Sequence, residues 1–179
     1  MSSLPSGNAD RWAKQIQETI ASTSTVRDGL HDDEAIPLIE WGIACSEHLG
    51  RRMAAPGVPE PSPEQVDDAA YALVRLMTRV TWLVVYRNKK DAAWLTRTFA
   101  AINQLSHELY GEDAPVFSDD EIAAWIVEQS GHTNGELIQG LIARLTPASM
   151  GVSSTGSESP DAPVPPAQSG EENEPHKQQ

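Results

Sequence analysis

Two arginines, Arg75 and Arg79, lie four residues apart in the most apolar stretch of the sequence. At that spacing both guanidinium groups lie on one face of a helix, where their N–H donors can hold an anion or a carboxylate. No acidic residue lies three or four positions from either arginine, so their partners must come from another segment. Glu40 and Glu47, two turns apart in a second helical segment, are the candidates.

The sequence leaves two interpretations of this pair open. In the structural one, which we favour, the arginines form salt bridges between helices or a narrow solvent-facing stripe. In the functional one, they hold an anionic ligand in a pocket or bind an acidic residue of a partner. The residues predicted for such a site are Arg75, Arg79, Glu40, Glu47, Trp41 and Trp82.

Tryptophan is abundant, because the chain has five tryptophans and only two phenylalanines. We expect most of them to lie in the core. A tryptophan that stays exposed would be a good anchor for an interface, since this residue is over-represented among the side chains that dominate binding energy.

The sequence supplies little for catalysis. Its single cysteine, Cys45, lies among apolar neighbours and is predicted to be a small buried hydrophobe, although His48 follows three residues later. Templates for a serine nucleophile, a phosphate-binding loop and a dinucleotide site are absent. The acidic runs 31–34 and 119–121 lack metal-ligand spacing and are typical of helix starts. We therefore predict no enzyme, no catalytic residue, no metal site and no cofactor.

The net charge of −13 bears on partners rather than on fold. Residues 148–179 contribute five carboxylates and one lysine, so the body of the chain carries the remaining −9. An acidic body argues against binding to a nucleic-acid backbone and to an anionic membrane. It suits a protein partner with a basic face, and a homo-oligomer is also compatible with it.

Two short helical segments near the C-terminal end invite comparison with a helix-turn-helix motif. The second of them, however, carries Arg144 as its only base, and Glu136 occupies its first turn, where a recognition helix would face phosphates. This charge pattern argues against DNA binding.

Helical start and stop signals recur along the chain, and strand signals are rare. The first helix is predicted over 10–22, and the second begins near Asp33 with Pro37 in its first turn. Gly42, Ser46 and Gly50 recur every four residues in the second helix and predict close approach by another helix.

Capping boxes mark three further helix starts: Ser62 to Gln65, Ser118 to Glu121 and Thr133 to Glu136. Between the first two, residues 62–110 form either a hairpin or one long helix, and we favour a hairpin. Its turn would lie at 87–91, with Asn88 ending one helix and capping the next.

Together these signals predict an all-α, single helical-bundle domain of about six helices. The predicted boundaries are a flexible N-terminus over 1–8, a helical domain over 9–147 and a disordered acidic tail, rich in Pro, Ser and Glu, over 148–179.

The apolar run 71–86 is shorter than the ~20 residues of a membrane span and is predicted to be a buried helix. Without a signal peptide in the first residues, the cytoplasm is the expected location. The expected function is that of a non-enzymatic protein–protein interaction module, an adaptor, inhibitor or assembly factor. The alternative is a small-molecule sensor or carrier whose inter-helix pocket is lined by tryptophan with Arg75 and Arg79.

Overall fold

The computed structural model describes residues 6–23 and 26–151 of the chain. Within those two ranges it contains six α-helices and no strand, so the prediction of an all-α domain of about six helices is confirmed. The helices are α1 (Ser6–Thr23), α2 (Asp32–Met53), α3 (Pro63–Tyr86), α4 (Ala92–Tyr110), α5 (Asp119–Glu128) and α6 (Asn134–Leu145).

The three predicted capping boxes begin α3, α5 and α6. At each start the Ser or Thr side chain accepts the backbone N–H three residues on, and the Gln or Glu there accepts the cap's own N–H. These reciprocal bonds satisfy backbone N–H donors that the first helical turn leaves unpaired. Because the motif consists of four consecutive residues, the sequence alone predicted these three helix starts.

Residues 62–110 form a hairpin, as predicted. The short 3₁₀ turn Arg87–Lys89 separates α3 from α4. The capping residue of α4 is Asp91, whose side chain accepts from the backbone N–H of Trp94 at 2.7 Å. The expectation that Asn88 caps this helix is therefore wrong. A carboxylate is the better cap because it also complements the positive end of the helix dipole.

The second helix differs from its prediction at one residue. Because α2 begins at Asp32, Pro37 is its sixth residue and lies in the second turn, so its expected place in the first turn is wrong. Proline has no N–H, and the carbonyl of Asp33, four residues earlier, consequently lacks its helical donor. Asp33 is exposed, which leaves that carbonyl near solvent.

Helix α3 is the centre of the core, with eleven buried residues and with α1, α2, α4 and α6 packed around it. The small residues of α2 allow close packing, as predicted. A Cβ at Gly42 would lie 2.7 Å from the Met77 sulfur of α3, and one at Gly50 would lie 2.4 Å from the Ala9 carbonyl oxygen of α1. Ser46 is fully buried between them.

The ends of the ordered body extend slightly beyond the predicted limits. Helix α1 starts at Ser6, and a 3₁₀ turn at Ala148–Met150 follows α6. Met150 is half-buried and packs against the core. The predicted disordered tail over 148–179 lies, from residue 152 onward, outside the described residues.

By length and composition alone, the stretch Pro63–Lys89 contains an 18-residue window, with a mean hydropathy of 1.2, that is long and apolar enough to cross a membrane. Within the domain, 56% of this window is buried against the other helices. A core helix enclosed by its neighbours has the same composition, so these properties are weak evidence for a membrane span.

Candidate functional site

The outward face of α3 carries three exposed aromatic side chains. Tyr71 is 51% exposed, Trp82 40% and Tyr86 38%, whereas eleven other residues of the helix are buried. Arg75 and Arg79 lie between them at helical spacing, so all five side chains follow one face. We call this set, Tyr71, Arg75, Arg79, Trp82 and Tyr86, the α3 stripe.

The two arginines lie on the outer side of α3 rather than inside the bundle. An Arg75 guanidinium nitrogen lies 3.9 Å from a carboxylate oxygen of Glu108 on α4, and its side chain is 62% exposed. The Arg79 guanidinium lies 5.3 Å from the centre of the Trp82 ring, a cation–π distance. The Arg75 side chain is thus largely open to solvent, whereas Arg79 is half-buried beside Trp82.

The expected ion pairs with Glu40 and Glu47 do not form among the described residues. The reason is the orientation of α3, which turns its apolar side, including Met77, toward Gly42 of α2. The Arg75 guanidinium consequently reaches α4, where it meets the carboxylate of Glu108. Glu108 lies far from Arg75 in the sequence, so no local pattern predicted this pairing.

The predicted site residues therefore divide into two groups. Arg75, Arg79 and Trp82 come together on the α3 stripe, whereas Glu40 and Glu47 are exposed on α2 and away from it. Trp41 is buried, and its indole N–H donates to the hydroxyl of Thr146 at 3.1 Å.

Four of the five tryptophans are buried or half-buried, as expected for core residues, and Trp82 is the exposed one. It lies beside a shallow groove of about 270 Å³ between α3 and α4. Gln104 and Glu108 of α4 contribute polar groups to the groove. The sequence did not predict these two residues or the stripe tyrosines. The polar interruptions of an apolar helix mark its outer face, and that signal would have identified Tyr71 and Tyr86.

The stripe has a charge opposite to that of the whole chain. Residues 69–90 contain five of the thirteen Lys and Arg residues and no acidic residue, although the chain has a net charge of −13. Lys89 adds a further cation, 6.0 Å from the ring of Tyr86. From Tyr71 onward the outer face of α3 is thus basic and aromatic, whereas its first turns carry the exposed acids Glu64, Asp67 and Asp68.

Arg87, another cation of this region, is hydrogen-bonded within the domain. Arg87 donates to the carbonyl of Val84, to the side-chain oxygen of Asn134 and, at 3.2 Å, to the carbonyl of His132. These bonds fasten the end of α3 to the start of α6, so Arg87 has a structural role.

Cys45 is fully buried in α2, as predicted, and the Tyr110 hydroxyl donates to its sulfur at 3.1 Å. Burial raises the pKa of the Cys45 thiol to about 12. Because the thiolate is the nucleophilic form, this cysteine is not activated for attack. The His48 ring lies 6.0 Å from that of Tyr110 and completes a buried polar cluster.

His48 makes the stability of the domain dependent on pH. Burial, followed by the charges of Arg52 and Arg51, lowers the pKa of His48 below its usual value, so the folded state resists protonation. The unfolded chain binds this proton from about pH 6.5 downward, and stability is therefore lost as the pH falls below that value.

We expect the urea midpoint of the wild-type chain to decrease between about pH 7.5 and about pH 5.5, and the decrease to be smaller in His48→Gln. Equal decreases in the two proteins would assign the pH dependence to other groups.

Arg144, the only base on α6, is engaged inside the domain. It forms a bidentate pair with Glu121 of α5, at 2.8 and 3.0 Å. The Arg144 guanidinium and the Ser118 backbone N–H lower the pKa of Glu121 to about 2. No cluster of three or more metal-ligating side chains occurs among the described residues.

No family model matches the chain, and no curated protein or solved structure matches it either.

Proposed function

We propose that the chain is a non-enzymatic protein–protein interaction module, an adaptor, inhibitor or assembly factor, that binds an acidic partner segment through the α3 stripe. The observation that carries the proposal is the exposure of Tyr71, Trp82 and Tyr86 along the outer face of the helix that forms the core. Keeping these large side chains in water is unfavourable for an isolated domain, and a partner would cover them.

The composition of the stripe supports this function. Tryptophan, tyrosine and arginine are the residues most enriched among those that dominate binding energy at interfaces. Their aromatic rings offer large contact areas with few rotatable bonds, and the guanidinium groups offer planar donors for carboxylates.

Charge decides which kind of partner fits. The net charge of the chain favours a partner with a basic face, but residues 69–90 are basic. An acidic segment that carries apolar side chains complements the arginines and the aromatic rings together. At this surface the proposal is therefore an acidic partner.

The groove between α3 and α4 gives weaker support to the alternative function, a small-molecule sensor or carrier. The groove of about 270 Å³ beside Arg75 and Arg79 has one tryptophan in its lining, and both Trp82 and Arg75 are exposed. A carrier usually encloses most of its ligand, and a groove with such open walls suits a peptide segment better.

The test is a charge reversal on the stripe with a matched reversal elsewhere. Arg75→Glu/Arg79→Glu and Arg11→Glu/Arg27→Glu change the net charge equally, and Arg11 and Arg27 are exposed on other helices and turns, each with one long ion pair. Proteins that co-purify with the full chain from its native cell are then quantified.

We expect the stripe reversal to remove the specific partner and the control reversal to retain it. Equal recovery with both variants would contradict the proposal, and so would equal loss, because net charge alone would then explain the binding.

A further inference from the structure

A second cavity lies on another side of the molecule, between the end of α5 and the start of α6. Its volume is about 240 Å³. Apolar side chains form most of its wall, and three polar residues stand at its rim. The apolar lining is Phe117, Trp125, Leu137 and Leu141, and the rim is Glu128, His132 and Glu136.

The cavity is open beside α6, where Gly140 is exposed and has no side chain. A Cβ placed on Gly140 would meet no atom within 4 Å, and Gly140 lines the cavity. Glycine in the middle of a helix costs about 1 kcal/mol relative to alanine. Because Gly140 is exposed, the space beside it is open to solvent, and a larger side chain or a bound molecule can occupy it.

Gln129 has an unsatisfied hydrogen-bond acceptor close to the cavity. Its side chain lines the cavity and only 8% of the residue is exposed. Its amide nitrogen donates to the Ile126 carbonyl, but its amide oxygen has no partner among the described residues. This oxygen is itself inaccessible to solvent, so a ligand that brings an N–H group gains at this position only when the Gln129 side chain rotates toward the cavity.

The rim favours positive charge. Glu128 and Glu136 lie at the opening, and the backbone N–H of Thr133 holds Glu136 with a bond of 2.8 Å. That bond lowers the pKa of Glu136, which keeps it a carboxylate. His132 Nδ1 lies 3.7 Å from a Glu136 oxygen. Of the nearby cations, Arg144 is paired with Glu121, and Arg87 donates to the His132 carbonyl and to Asn134, so neither forms an ion pair with Glu128 or Glu136.

We propose that this cavity binds a small organic ammonium ion with an aromatic or compact apolar body. The apolar body contacts Phe117, Leu137 and Leu141, and an ammonium N–H donates to the amide oxygen of Gln129 once that side chain has rotated toward the ligand. The positive charge lies near Glu136 and beside the ring of Trp125, where cation–π attraction adds to the carboxylate field. The cavity is smaller than most drug-sized sites, which limits the ligand to a few carbons beyond one ring.

The test compares three probes of nearly equal shape on the full chain: 2-phenylethylamine, 2-phenylethanol and phenylacetate. Titrations are followed by calorimetry and by amide chemical shifts of α5 and α6. We expect the amine to bind roughly tenfold more tightly than the alcohol, because a hydrogen bond to a charged donor is stronger than one to a neutral donor, and phenylacetate to bind most weakly.

Two variants locate the binding, and one variant controls for glycine replacement. Gly140→Leu fills the cavity and should abolish binding of the amine, whereas Gly135→Leu, on the same helix and also facing open space, should retain it. Gln129→Leu removes the acceptor and should weaken the amine roughly fivefold or more while leaving the alcohol less affected.

The proposal is overturned if the amine does not bind, if all three probes bind equally, or if Gly140→Leu leaves the amine affinity unchanged. Circular dichroism of each variant establishes that it is folded, and Gln129→Leu tests the site independently if Gly140→Leu is not. The α3 stripe is elsewhere, so these outcomes do not depend on the proposed protein partner.

Discussion

Gly50→Ala is expected to destabilise the domain by about 2 kcal/mol or more, although alanine is the better helix former. The added Cβ would lie 2.4 Å from the Ala9 carbonyl oxygen and 3.0 Å from the Ala13 backbone nitrogen. Both atoms belong to the backbone of α1, so no side-chain rotation relieves the contact. Helix α1 must move away from α2, and that movement loosens the buried contacts of Trp12 and Ile16.

Two other glycine substitutions provide the controls. Gly42→Ala meets the end of the Met77 side chain, which can rotate, so its effect should be smaller. Gly140→Ala meets nothing within 4 Å and should stabilise the domain by about 0.5–1 kcal/mol. Free energies of unfolding from urea titrations measure all three. If Gly50→Ala is as stable as the wild type, the close packing of α1 on α2 is contradicted.

Trp82→Ala is expected to weaken binding of the acidic partner about 30-fold. A loss of about 2 kcal/mol is typical of a tryptophan at the centre of an interface, and each 1.4 kcal/mol changes the affinity tenfold. The substitution also removes the ring beneath Arg79, so the Arg79 guanidinium loses its cation–π contact, which has a distance of 5.3 Å to the ring centre. Affinities are measured for the partner recovered with the wild-type chain.

The free energy of unfolding of Trp82→Ala separates a loss of binding from a loss of folding. Trp82 is 40% exposed, so we expect its substitution to change the free energy of unfolding much less than loss of a fully buried residue would. Val127→Ala is the control truncation, because Val127 is 78% exposed on α5 and lies outside the stripe. The affinity of this variant for the partner should equal that of the wild type. Similar affinity losses in the two variants would contradict a specific role for Trp82.

The parts of the fold that the sequence predicted are those that depend on local signals. The capping boxes at Ser62, Ser118 and Thr133 are read from four consecutive residues, and all three begin helices in the structure. The close approach at Gly42 and Gly50 also follows from spacing within one helix. Each of these features depends on contacts that are near in sequence or on the absence of a side chain.

The features that the sequence did not predict depend on how helices are oriented in space. Arg75 and Arg79 were expected to pair with Glu40 and Glu47, but the partner of Arg75 is Glu108, 33 positions later. An apolar helix indicates that it is buried without indicating which neighbour covers which face. The α5–α6 cavity was missed for the same reason, because no local pattern brings Gln129 beside Gly140.

The most direct test of the α3 stripe as a binding surface is photocrosslinking in the native cell. The photoreactive residue p-benzoylphenylalanine replaces Trp82 in one full-length chain and Val127 in another, and the adducts are mapped by mass spectrometry. We predict a crosslink from position 82 into an acidic segment of one protein, and none to that protein from position 127. No adduct from position 82, or the same adducts from both positions, would contradict the proposed function.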